Sequence, residues 1–363
     1  MEILRDILAA VFTLGDTLGE GLVALTLGFA AKATGIGFLV GAALMLIYQS
    51  VVPVSFQVEG LTVVSRRAKG DWRTMCYAVM LAGLIGAFLG FIGVYTAIVN
   101  FIGGGIQSGM MAGAGLILSI VAIDILRANW KIGLTSAVVA YLLFIFIPNP
   151  DWGLIIALVG SVLAGFIAGR ILKVYEPVVS NPEIEKVRLV PRSWQDLKFF
   201  RTPNCIRAAL AILALRTGTS IAYSGVDAGL AGVAFNADHV NITSGLGCFF
   251  SGLFGGANTE PIISATAAAP HPVWSGVLMM VLTAAILLFG LLPRWARYVP
   301  TQAVCGFLLV LGTLIVIPSN LPGIMADPVP GAVATGVTAA TIDPFLGMVV
   351  AIIVRALMGI IGG

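Results

Sequence analysis

Long apolar runs separated by short polar joints make up almost the whole of this chain. A membrane-crossing helix needs about 20 predominantly apolar residues. By that measure the pattern predicts spans near 7–31, 35–50, 74–96, 103–126, 131–147 and 152–173, then 203–223, 240–254, 273–292, 299–317, 329–341 and 343–361. Two further segments, 52–64 and 255–268, are apolar but interrupted. In the second, an apolar run from Ile242 to Phe250 meets Gly255, Gly256 and Pro261, and Asn258, Thr259 and Glu260 sit inside the break. In the first, Pro53 and Gly60 bracket Ser55, Phe56, Gln57 and Glu59. Irregular backbone survives at membrane depth only where protein or a water-filled cavity satisfies its polar groups. A carboxylate placed there marks a functional site by default.

Residues 174–202 form the one long hydrophilic segment, with four acidic residues, five basic residues and three prolines. It separates a first repeat, 1–173, from a second, 203–363. The halves share a layout, since the next apolar helix follows each of Glu59 and Glu260 after the same short interval. Seven spans per half make the two copies inverted relative to each other, a recurrent transporter plan with a midplane site at Gly/Pro-interrupted segments. The predicted fold is therefore an all-α polytopic membrane protein of about 14 transmembrane spans. They form two inverted repeats of seven, with broken spans 3 and 10 holding short extended segments, and with core and gate domains interleaved from both repeats.

Composition supports this reading and removes alternatives. Of 363 residues, 59% are hydrophobic and only 10% charged, against about 25% charged in a soluble domain. A net charge of +3 gives no footprint for nucleic acid. The four cysteines are scattered, mostly in apolar runs, and read as buried small residues. The 44 glycines fit closely approached helices, with Gly83, Gly86, Gly90 and Gly93 on one helical face. No nucleophile–base set, metal spacing or phosphate loop appears, so neither an enzyme nor a cofactor is expected. The expected partners are a small-molecule substrate, a coupling H+ or Na+, and the bilayer of a cytoplasmic (inner) membrane. A homodimer is left open.

Four stretches then fall in a telling order: Val54-Ser-Phe-Gln-Val-Glu-Gly60, the Gly-rich 103–116, Ser251-Gly-Leu-Phe-Gly-Gly-Ala-Asn-Thr259, and the terminal 335–357. On these the chain resembles the nucleobase/ascorbate (xanthine–uracil) permease family, particularly its purine branch. The resemblance implies fourteen spans in a core and a gate domain, and ion-coupled uptake of nucleobases between broken spans 3 and 10. The chain departs from that family in two places. No acid stands near Leu215 or Arg216, where the family carries one, and the family's tenth-span glutamate falls nearer Ile263 than Glu260. The sulfate/anion permeases share the architecture, so an anion transporter (sulfate- or carboxylate-type) or channel of this fold is the alternative. A membrane subunit of a larger transport assembly is another.

Ser55, Phe56, Gln57, Thr219, Asn258, Thr259 and Glu260 are the candidate substrate-binding residues. Asn258 and Thr259 supply paired donors and acceptors, Phe56 a stacking face, and Ser55 and Gln57 further hydrogen bonds. A half-helix starting near Pro261 would add free N–H groups. Asp16, Glu59, Arg216 and Glu260 are the candidates for ion coupling or a charge pair. Arg216 lies in an apolar span and demands an acid or an anionic ligand, with Glu260, Asp16 and Asp227 as its possible partners. Asp124 with Arg127 reads as a surface pair, and Arg355, His239 and His271 as structural. Basic residues gather after odd-numbered spans, which places those loops, including 174–202, in the cytoplasm. That puts both termini outside, whereas the resembled family has both inside.

Overall fold

A computed structural model describes the chain except for residues 58–60, 62–64, 66–67, 69–70, 148–152, 175–188, 191–197, 199, 293–299 and 362–363. Glu59 and most of the polar connector thus lie outside the described residues, as does the side chain of Asp16. The helices of the first half are α1 (Glu2–Thr26), α2 (Ala31–Tyr48), α3 (Trp72–Phe91), α4 (Val94–Ala128), α5 (Trp130–Phe146) and α6 (Gly153–Ile171). The second half holds α7 (Pro203–Ala231), α8 (Ala237–Leu253), α9 (Pro272–Leu288), α10 (Cys305–Val310), α11 (Ile317–Ala326), α12 (Pro328–Thr341) and α13 (Pro344–Ile361). Among the described residues, six helical stretches are long and apolar enough to cross a bilayer, and three shorter apolar helices accompany them. This is a multi-pass, all-helical membrane protein.

Helix ends follow local chemistry. Asp71 accepts from Thr74 N at the start of α3, Thr202 accepts from Cys205 N at α7, and Asn236 accepts from two N–H groups at α8. Each is an N-cap oxygen satisfying an otherwise orphaned donor. Helix α4 runs through a kink at Gly103, whose φ of 72° lies in the region open to glycine. Arg355 of α13 donates to the two carbonyls before the kink, Phe101 O at 2.9 Å and Ile102 O at 2.6 Å. Its structural reading is correct. The expected span end at residue 317 is not: Pro318 does not stop the helix. A π-helical turn at Leu311–Val316 precedes it, and that wider turn accommodates the proline ring, so helix resumes to Ala326.

Glycine sets the helix spacing. A Cβ at Gly83 would lie 2.5 Å from Gly245 O, and one at Gly90 would lie 2.8 Å from Asp238 O, so α3 and α8 meet backbone to backbone. Gly109 and Gly113 of α4 leave comparable room for Gly331 and Thr338 of α12. Both are the close contacts that small residues permit in a bilayer. The two largest apolar clusters each draw on both halves of the chain. One joins α1–α3 to α8 and α9, and the other joins α4 and α6 to α10 and α13. Helix α7 contributes to both, through Cys205, Ala208 and Ile212 to the first and Ile221 and Val226 to the second.

Where the first and second halves meet, two short strands pair antiparallel: β1 (Val54–Ser55) and β2 (Glu260–Pro261). Val54 faces Pro261 and Ser55 faces Glu260, and Ile262 N donates to Pro53 O at 3.2 Å. The backbone ahead of β2 is satisfied from nearby helices. Gly255 O accepts from Ala30 N, Ala257 N donates to Thr34 Oγ1, and Ala257 O accepts from Ser251 Oγ. That is how non-helical backbone persists among apolar helices.

Candidate functional site

The strongest polar feature among the described residues lies beside this strand pair. Arg216 extends from α7 toward β2, and the fork of its guanidinium meets the Glu260 carboxylate at both oxygens, Nε to Oε2 at 3.0 Å and Nη2 to Oε1 at 3.1 Å. Arg216 is 0% and Glu260 1% exposed. Two of the three remaining donors are also used. Nη2 lies 2.7 Å from Cys248 Sγ, and Nη1 donates to Ala82 O at 3.3 Å. Glycine at position 86 is part of the arrangement, because a Cβ there would come within 3.1 Å of Nη1. The pair is bidentate and buried, the geometry in which arginine recognises a planar two-oxygen anion.

Asn258 completes the carboxylate's surroundings. Its Nδ2 donates to Glu260 Oε1 at 3.3 Å, while its buried Oδ1 has no hydrogen-bond partner. Thr259 N donates to Cys248 Sγ at 3.1 Å, and Cys248 Sγ in turn lies 3.1 Å from Thr259 O. One thiol thus ties α8, β2 and the guanidinium together. Across the strand pair, Ser55 Oγ donates to Thr17 Oγ1 of α1 at 3.1 Å. Gln57 is buried with its Oε1 unpartnered.

The sequence-based candidates divide clearly. Arg216, Asn258 and Glu260 converge through hydrogen bonds, with Ser55 opposite Glu260 in register. Asp227, weighed as a partner for Arg216, instead accepts from Ser264 N at 3.0 Å. Thr219 turns its hydroxyl back to Arg216 O, a bond within its own helix. The Thr259 hydroxyl points to Ser244 O at 3.5 Å. Phe56 packs against Phe38 with ring centroids 5.3 Å apart, which is a core contact. The expected half-helix near Pro261 is corrected. The chain stays extended to Ser264, whose hydroxyl caps a short 3-10 turn, Ala265–Ala268, because Pro261 is held in the β1–β2 pairing. Asp124 and Arg127 form the anticipated exposed pair.

Thr17, Cys248 and the Ala82 carbonyl were not named as site groups, and Gly86 was read only as a helix-contact glycine. Thr17 was within reach of the sequence, because the stretch Leu14–Thr17 occupies in the first half the place of Arg216 in the second. Cys248 gave no signal, since a lone cysteine in an apolar run reads as packing.

No protein-family profile and no curated protein sequence matches the chain. Solved structures do. The transmembrane domain of the cyanobacterial bicarbonate transporter BicA matches with a TM-score of 0.52 at 16% identity, covering 96% of this chain and 98% of that one. The murine anion transporter Slc26a9 in its inward-facing state matches with a TM-score of 0.59 at 12% identity, over 99% of this chain and 69% of that one. A second SLC26A9 structure gives 0.54 at 13% identity, over 99% and 66%. The chain has the fold of these transporters. Their descriptions overturn the resemblance to the nucleobase/ascorbate permeases drawn from sequence. The motifs that carried it, Gly-rich spans and a Gly/Pro break, report helix packing and an extended crossing, and packing of that kind does not distinguish one substrate class from another.

Proposed function

We propose that this protein carries small anions across a membrane, with the anion recognised at the crossing of β1 and β2 by Arg216. The observation that carries this reading is the guanidinium itself, a fully buried cation aimed at a site between two extended segments. A cation held there costs desolvation energy that an anionic partner must offset, the Glu260 carboxylate in this structure and a bound anion in transport. The structural neighbours named as anion and bicarbonate transporters agree with it. Ser55 and Gln57 on the opposite segment supply uncharged hydrogen-bonding groups to the same crossing.

The inverted-repeat plan belongs to the same proposal. The two paired segments come from corresponding places in the two halves, and both apolar clusters mix the halves. Fourteen spans, with the extended segments breaking the third and tenth, accommodate that arrangement, and the basic residues gathered after odd-numbered spans favour a cytoplasmic connector.

Purified protein in liposomes tests the function. Saturable uptake of radiolabelled bicarbonate, sulfate or chloride is expected, with the double variant Arg216→Gln/Glu260→Gln, which removes the guanidinium without stranding its partner, lowering it by at least tenfold, about 1.4 kcal/mol in binding terms. Flux that never saturates indicates a channel. No uptake of any of the three by well-folded protein defeats the reading.

A further inference from the structure

The Nε–Nη2 fork of Arg216, the face that a two-oxygen anion would need, is already committed to the protein's own carboxylate. An anion arriving at this guanidinium must therefore replace Glu260. If Glu260 left as a carboxylate, the buried site would hold two negative charges against one positive charge, and the displaced charge would be unpaired at membrane depth. A proton taken up by Glu260 removes that penalty: the guanidinium pairs with the anion, the glutamic acid is neutral, and the net charge of the site stays zero. Resting on the anion reading above, we infer that Glu260 is a tethered competitor for Arg216, and that an anion and one proton enter the site together.

A second observation shows how the displaced acid is held. Asn258 presents Nδ2 to Glu260 Oε1 while its buried Oδ1 lacks a partner. Turned over, the same amide offers Oδ1 to the O–H of a protonated carboxyl. An amide beside a carboxyl can serve both protonation states, since it carries a donor pair and an acceptor. The step is balanced. The hydrogen bonds from Nε and Nη2 to Glu260 break, equivalent ones form to the anion, and a solvent proton binds a Glu260 oxygen. The other ionisable groups facing Glu260 among the described residues are Cys248 from α8 and Tyr95 from α4. Neither is a carboxylate, so Glu260 is the described acid at the guanidinium. The fork geometry favours planar two-oxygen anions of the carboxylate, bicarbonate or nitrate kind over spherical halides.

Nitrate is the probe, because it stays ionised throughout the working range and any pH dependence then belongs to the protein. Calorimetric titration of the purified wild-type protein, in buffers of different ionisation enthalpy, is expected to show close to one proton taken up per nitrate bound. Nitrate affinity should rise about tenfold for each unit of falling pH in the range where Glu260 is ionised in the unliganded protein. Glu260→Gln removes the competitor, so it should bind nitrate at least as tightly as the wild type does in acid, with no pH dependence. Nitrate binding without proton uptake by the wild type overturns the inference and leaves the anion reading standing, as does a Glu260→Gln protein that melts normally yet has lost nitrate. If the wild type binds neither nitrate, sulfate nor chloride at any pH, both fall together. The proton count needs no variant, so a poorly folding Glu260→Gln protein does not block the test.

Discussion

Arg127 and Arg216 each stand close to a carboxylate, at 3.3 Å from Asp124 and 3.0 Å from Glu260. The first pair lies one helical turn apart on α4, with side chains 74% and 64% exposed, and makes a single contact. The second joins residues from α7 and β2, is closed to solvent, and is bidentate with two further partners. In water the attraction between such charges is weak and offset by side-chain entropy. Away from water it is strong, but so is the cost of bringing either charge there. The exposed pair is thus nearly dispensable. The buried one is a commitment: removing either member alone leaves the other charge buried without its partner.

The largest predicted effect breaks the buried pair on one side only. Arg216→Gln leaves Glu260 buried without its cation, a cost of about 3–5 kcal/mol, so the folded yield in detergent should collapse. Combining it with Glu260→Gln should recover about 1–3 kcal/mol of that loss, because the two residues are coupled. A single variant that melts like the wild type would show that the guanidinium can find water, and the contrast with Arg127 would disappear.

Cys248→Ala is the intermediate case. It removes the sulfur that lies against both Arg216 Nη2 and Thr259 N, leaving the ion pair in place but two buried donors short of a partner. A loss of about 1–3 kcal/mol in thermal melting is expected, and Cys248→Ser should restore much of it. Equal melting of the alanine variant and the wild type would mean that the carboxylate alone holds the arginine.

Arg127→Gln sits at the far end of the scale. Its effect on melting should stay below about 0.5 kcal/mol and should shrink further in high salt. A loss as large as that of Cys248→Ala would show that the α4 pair is engaged in something beyond a solvated surface.

The sequence made the site legible where it broke its own pattern. An arginine inside an apolar span and a glutamate inside a Gly/Pro break are both expensive exceptions, and each implied the other; the structure joins them. The extended crossing could be anticipated for the same reason, since Pro53 and Pro261 cannot sit inside ordinary helix. What the pattern did not show was anything that depends on a residue's partner instead of its cost. Cys248 looks like any small core residue until a guanidinium is placed against it. Thr219 and Phe56 looked competent for binding, yet one bonds within its own helix and the other fills the core. The helix beyond residue 317 was missed because a π turn upstream is invisible to hydropathy. Substrate class was least legible, because glycine spacing reports how near two helices come and says nothing of what passes between them.

The pairing of Ser55 with Glu260 also constrains how the chain is made. These residues lie far apart in sequence, so β1 emerges from the ribosome long before β2 exists. During that interval the unpaired edge at Val54–Ser55, with Gln57 beside it, has no second strand to satisfy it inside the lipid, and Arg216, once synthesised, must still wait for its carboxylate. The first half therefore cannot reach its final state as an independent unit. Biogenesis then ends in one late closure, when strand, thiol and ion pair form together.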